Sequence, residues 1–229
     1  MIDIGITIDG ADVIAKELKG YEEQIPFATA VALTKTAKAV EADIRKVMPR
    51  VFDRPTRFTL SGTFTNPATK KNLNAFVGLK DWAPKGGNAR DYLQPHVYSG
   101  PRTPKRSEKA LRQRGFLKSS EFLVPGRDAR LNKHGNITKA QVVKAMSNIG
   151  AQRDSAQNSR RDSGRKYFWL PGAGIFFRQG GRLKSFLVIA KQPQYRKRFD
   201  FFGLSKAIAA HHLPIEAFKA AKFARDTAR

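Results

Sequence analysis

The stretch that most limits what this chain can fold into is Ile25–Met48. Phe27, Ala30, Leu33, Ala37, Val40, Ile44 and Val47 recur there at spacings of three and four, which puts them on one stripe of a 3.6-residue helix. Lys35, Lys38, Glu41, Asp43, Arg45 and Lys46 fall mostly outside the stripe. The spacing therefore predicts an amphipathic helix about 35 Å long whose apolar face needs a cover. Pro49 disfavours helical geometry at Met48, so the helix is expected to end there, with Val51–Leu60 continuing as an extended or turning connector.

Strands are the available cover. Ile2, Ile4, Ile6 and Ile8 alternate with Asp3, Gly5 and Thr7, the period of a half-buried strand that ends at Asp9-Gly10. Ala11–Tyr21 reads as a short helix with Val13, Ile14 and Leu18 inward. Phe58–Phe64 and Leu73–Leu79 alternate as two strands of a hairpin turned at Asn66-Pro67. Ile175–Arg178 and Ser185–Lys191, led into by Tyr167–Leu170, are joined through Gln179-Gly180-Gly181-Arg182, where glycine supplies the positive φ of a tight hairpin. Leu204–Arg229 is expected to be helical, broken or bent near Pro214, with Leu204, Ile208, Ala209, Phe218 and Ala221 inward. The pattern predicts one α+β domain over residues 1–229, its long amphipathic helices packed on an antiparallel sheet built from Ile2–Ile8, Leu73–Leu79, Ile175–Arg178 and Ser185–Lys191.

Residues 81–166 interrupt this scaffold. Pro84, Gly86-Gly87, Pro95, Gly100-Pro101 and Pro104 break the periodicity, which predicts a long, basic, loop-rich insertion with short helices at Ser107–Arg114 and Lys139–Ile149. Its last part, Gly150–Lys166, holds Arg153, Arg160, Arg161, Arg165 and Lys166 with almost no apolar anchor, the composition of a mobile segment.

Charge narrows the function. The formal net charge is +24, with 12 Lys/Arg against 9 Asp/Glu in residues 1–80, 19 against 7 in 81–166 and 12 against 3 in 167–229. Such a balance implies attraction to polyanions, whether nucleic acid, acidic protein or anionic lipid. The absence of Cys removes disulfides, thiolate metal sites and cysteine nucleophiles together. His96 and His134 are isolated, and the adjacent His211 and His212 point about 100° apart on a helix, unlike an i, i+4 metal pair. Gly172-Ala173-Gly174 lacks the downstream glycine and lysine of a phosphate loop, and the few acidic residues past position 81 make a poor metal cluster for a nuclease. The residues thus point away from an enzyme, with no cofactor and no metal expected. No apolar run approaches the roughly 18–20 residues that cross a bilayer, and the opening lacks the pattern of a signal peptide, so cytoplasmic synthesis without a membrane partner is expected.

In Tyr195-Arg196-Lys197-Arg198-Phe199-Asp200-Phe201-Phe202 the cations suit phosphates and the rings suit base stacking. Aromatics so spaced at the head of a helix serve more often as core anchors, which is the expectation here. The order of the alternating opening strand, the helix Ile25–Met48, the phrases "VFDRPTRFTL" and "FTNPATKKNLNAFVGLKD", and "PQYRKRFDFFG" before the terminal helix resembles the minor tail protein Z, or tail-completion, proteins of tailed bacteriophages and prophages. The resemblance spans most of the chain and implies a small α+β scaffold without catalytic residues. It also implies a structural role in the virion at the tail end or neck, where a ring of copies surrounds the DNA path and meets other tail and neck proteins. Asp12, Glu17, Glu22 and Glu23 in the acidic opening, and Lys105, Arg106, Arg112, Arg114, Arg160, Arg161, Arg196, Lys197 and Arg198 elsewhere, are the candidate contacts with neighbouring subunits or, non-specifically, with packaged DNA. A basic nucleic-acid-binding protein acting outside the tail is the alternative, and a nuclease a remote third.

Overall fold

The structure, a computed structural model, describes residues 5–10, 12, 14, 18, 22–83, 87–152, 154–158 and 166–228. The fold is α+β, with the chain divided between two compact units, Met1–Pro84 with Asn88–Ser99 and Lys197–Arg229, and Lys85–Gly87 with Gly100–Arg196.

In the first unit, helices α1 (Ile25–Val51) and α6 (Phe201–Thr227) lie against each other and against a three-stranded antiparallel sheet. Its strands are β1 (Gly5–Ile8), β2 (Thr63–Asn66) and β3 (Ala75–Leu79), in the order β1-β3-β2. Leu33, Ala37, Val40, Ile44 and Met48 of α1 share one core with Ile8, Ala75, Val77 and Leu79 of the sheet and with Phe199, Phe201 and Ala209. Further along, Ala28 and Ala32 of α1 meet Ala217, Ala220, Ala221 and Ala224 of α6, with Ile14 and Leu18 closing that cluster. Small side chains at this seam let two helix backbones approach closely. The short helices α2 (Arg57–Leu60) and α3 (Ala89–Tyr98) complete the unit, α3 adding Ala89, Leu93 and Val97 to the sheet-side core.

Several expectations need correction here. The long helix runs to Val51 rather than Met48, because Pro49 falls in its last turn and the Phe52 N–H closes on the Met48 carbonyl at 2.9 Å. The buried band of α1 is broader than the single stripe, taking in Ala28, Thr29, Ala32 and Thr36, because the helix is covered by α6 as well as by the sheet, while Phe27 and Val47 are only half-buried. Phe58–Phe64 is not one strand: Thr56 caps α2 by accepting from the Thr59 N–H at 3.1 Å, and the strand begins only at Thr63. Helix α6 runs through Pro214, and Phe218 points outward at 57 % exposure because the alanines occupy its packed face. Residues 1–4 of the expected opening strand, and most of the expected helix at 11–21, lie outside the described residues.

The second unit has its own sheet and core. Strands β5 (Glu121–Pro125), β6 (Tyr167–Leu170), β7 (Gly174–Gln179) and β8 (Arg182–Lys191) form an antiparallel sheet in the order β5-β8-β7-β6. Helices α4 (Arg106–Gln113) and α5 (Lys139–Asn148) contribute to its cover. Leu111, Leu117, Ala145 and Met146 pack with Leu123, Tyr167, Ile175, Phe177, Phe186 and Leu187. Strands β4 (Gly100–Pro101) and β9 (Gln194–Tyr195) pair where the chain enters and leaves.

The expected single sheet is therefore two sheets. Ile175–Arg178 and Ser185–Lys191 find their partners in β5 and β6 rather than in the opening strand. The stretch expected to be a loop-rich insertion at 81–166 supplies α3 to the first unit and α4, β5 and α5 to the second. Within the segment expected to be mobile, Ala151 is fully buried, Ser155–Gln157 forms a 3-10 turn, and the Gln157 carbonyl accepts from Ser147 at 2.7 Å. Arg153 and residues 159–165 lie outside the described residues.

Candidate nucleic-acid interface

The second unit, residues 85–87 and 100–196, contains 23 Lys/Arg against 5 Asp/Glu, so 18 of the +24 formal charges reside in it. Its described carboxylates are turned to internal work. Glu108 is fully buried and accepts from both terminal nitrogens of Arg102, from the Lys105 N–H at 2.7 Å and from the Leu123 N–H at 2.8 Å. Burial pushes the Glu108 carboxyl up, but Arg102 and the two backbone donors outweigh it and hold the group below its ordinary range. Glu121 accepts from the Lys118 N–H, and Asp154 caps the 3-10 turn by accepting from the Ala156 N–H. Asp128 takes the Ser185 N–H and hydroxyl on one oxygen and pairs with Lys184 at 3.3 Å through the other. The backbone bond from Ser185 leads in holding its carboxyl low. Among the described residues the exposed charges of this unit are therefore mostly cationic, Asp154 being the exposed carboxylate.

The sequence candidates divide. Lys105, Arg106 and Arg114 are exposed around α4, although Arg114 also donates to the Gln152 carbonyl at 2.9 Å. Arg112 is built into the unit: it donates to the Glu121 carbonyl at 2.8 Å, and its guanidinium lies 4.9 Å from the buried Phe122 ring, as does that of Arg102. Arg112 is thus engaged within the unit, its guanidinium and that of Arg102 both lying over the Phe122 ring. Arg196 and Arg198 are exposed, and exposed Lys197 pairs with Asp200 at 3.1 Å. Phe199 and Phe201 are fully buried core anchors, and half-buried Phe202 packs against the same core. In the first unit Asp12, Glu22 and Glu23 are exposed on the acidic opening. Glu17, Arg160 and Arg161 lie outside the described residues.

No sequence motif singles out Arg178 and Arg182, which flank the Gly180-Gly181 turn. The signal for them is compositional: Gly174–Lys191 holds four cations and no acid around a two-glycine turn. Among the histidines, the His96 and Phe52 rings meet edge to face with centroids 5.4 Å apart, and burial, with the charge of Arg198, holds the imidazole below the ordinary range. His212 meets Asp43 at 3.0 Å. Among the described residues no three His, Cys, Asp or Glu side chains gather as a metal site, and no helix is long and apolar enough to cross a membrane.

Comparison with known proteins adds no relative: no family model, curated protein or solved structure matches the chain.

Proposed function

We propose that this chain is a non-enzymatic structural subunit of a tailed-phage virion, a tail-completion or neck protein that forms a ring around the DNA path and joins the tail tube to the head. The observation that carries the reading is the segregation of charge: exposed Asp12, Glu22 and Glu23 on one unit, and a second unit holding 18 of the +24 charges with its described carboxylates engaged in hydrogen bonds within it. A ring needs a heterologous interface, in which one patch meets a different patch on the neighbour. An acidic patch on one unit and basic patches such as Lys105, Arg106 and Arg114 on the other suit that requirement. Cations left over then face the DNA, where they offset phosphate repulsion without reading sequence. The resemblance of the sequence phrases to those of tail-completion proteins is in keeping with the same reading. The partners are further copies, other tail and neck proteins and packaged DNA; the location is the virion, after synthesis in the host cytoplasm.

The same charge segregation suits a free nucleic-acid-binding protein, and one experiment separates the two. Size-exclusion chromatography with light scattering at two salt concentrations is run beside capture on purified tail-tube ends and a DNA titration. Closed oligomers that bind tube ends support the neck reading. A monomer that ignores tube ends and binds free DNA with a steep salt dependence contradicts it.

A further inference from the structure

In the second unit, β7 and β8 outrun their neighbours. Pairing of β7 with β6 stops at Tyr167↔Phe177, and pairing of β8 with β5 stops at Pro125↔Leu187, whereas β7 and β8 stay paired out to Gln179↔Arg182. Among the described residues, the end of the hairpin is thus a two-stranded ribbon standing beyond the four-stranded sheet. Every residue from Arg178 to Leu183 is exposed, Leu183 at 55 %. Gly180 and Gly181 have φ of 56° and 71°, the left-handed pair that a tight turn of this hand requires. A side chain added at either glycine would meet nothing within 4 Å.

The chemistry of this tip is one-sided. Arg178 and Arg182 make no ion pair or side-chain hydrogen bond among the described residues, and Gln179, directly opposite Arg182, adds a free amide. Phe177 below them is buried, with the Lys166 ammonium 4.9 Å from its ring. We infer that the β7–β8 hairpin tip is a contact for the phosphate backbone of duplex DNA, with Arg178 and Arg182 as its phosphate-binding residues.

Three features favour this occupant. A two-stranded ribbon is narrow enough for the major groove, about 12 Å wide, and its flanking side chains then reach the phosphates on either side. Unpaired guanidiniums bind phosphate oxygens with two parallel hydrogen bonds. The six tip residues also offer no aromatic face on which the bases of a single strand could stack.

The inference rests on the reading of the second unit as facing DNA, and its test is arranged so that the two fail separately. Duplex affinity of the full chain is measured against salt for the wild type, for the double variant Arg178→Ala/Arg182→Ala, and for Lys133→Ala/Lys139→Ala, which removes equal charge from exposed positions elsewhere in the unit. Loss of two phosphate contacts lowers the slope of log affinity against log salt by about 1.8, at about 0.9 per contact. That loss in the arginine variant, well above the loss in the lysine variant and with melting and oligomeric state unchanged, is the expected result. Equal losses in both variants, no duplex binding by the wild type, or binding of polyglutamate or a single strand in preference to the duplex would each overturn it. Rings without the arginine effect remove this inference alone; the arginine effect without rings removes the ring alone.

Discussion

Arg102 grips Glu108 with both terminal guanidinium nitrogens, one at 2.8 Å, inside the second unit where Glu108 has no exposed surface. Glu108 is also the residue on which the start of α4 and the middle of β5 converge, through the N–H groups of Lys105 and Leu123. Glu108→Ala leaves a nearly buried guanidinium and a buried backbone donor without their acceptor, a loss of about 3–5 kcal/mol. Urea unfolding followed at Trp169, which lies in this unit, should show that loss, while Trp82 in the first unit reports little change. The carboxyl is held low in the fold, so its contribution is complete above the unfolded pKa of about 4.3 and disappears as pH falls through the lower folded value.

Val40 is fully buried between α1 and the sheet-side core. Val40→Asp places an unpaired charge there, and a destabilisation of about 4 kcal/mol or more is expected. Thermal melting checks it: a variant with the wild-type midpoint would contradict the helix orientation.

Much of the first unit is legible in the sequence because α1 is long and its period unambiguous: Leu33, Val40 and Ile44 sit where their spacing places them. The β7–β8 hairpin is legible for a different reason, since two glycines between apolar runs admit few other turns. What is hidden depends on partners distant in sequence. Nothing local tells Ile175–Arg178 that its neighbour is β6 rather than the opening strand, and nothing in the alternation of Phe58 and Leu60 announces that Thr56 will cap a helix there. Phe218 is misjudged for the same cause, because the α6 face is chosen by the alanines of α1. The charge of the second unit is plain in the composition. That its described carboxylates hold hydrogen bonds within the unit, and that the Arg112 guanidinium lies over Phe122, becomes visible only in the fold.

Asp43 of α1 and His212 of α6 meet at 3.0 Å, and Lys46 bonds the same carboxylate at 2.8 Å. The Lys46 bond, followed by that of His212, holds the Asp43 carboxyl below its ordinary range. Because the group is about a third exposed, Asp43→Asn should lower stability by less than about 1 kcal/mol at neutral pH. The gap between variant and wild type should be full above the unfolded carboxyl pKa and close as pH falls through the folded one; a pH series of melting curves reads it.

Gly180 faces open space, so the cost of adding a side chain there is that of the left-handed backbone alone. Gly180→Ala is expected to destabilise the hairpin by about 1–2 kcal/mol. Amide exchange at Phe177 and Lys184, paired just below the tip, should quicken while exchange in the α1 core does not.

The central claim is that this chain is a ring subunit on the DNA path of a virion, its basic unit turned to the DNA. A density map of the assembled particle tests it most directly. The account predicts a closed ring of copies at the tail end or neck, with part of the basic surface of residues 100–196 facing the channel. Density that places the chain outside the tail and neck, or that turns all of this basic surface away from the channel, would contradict it.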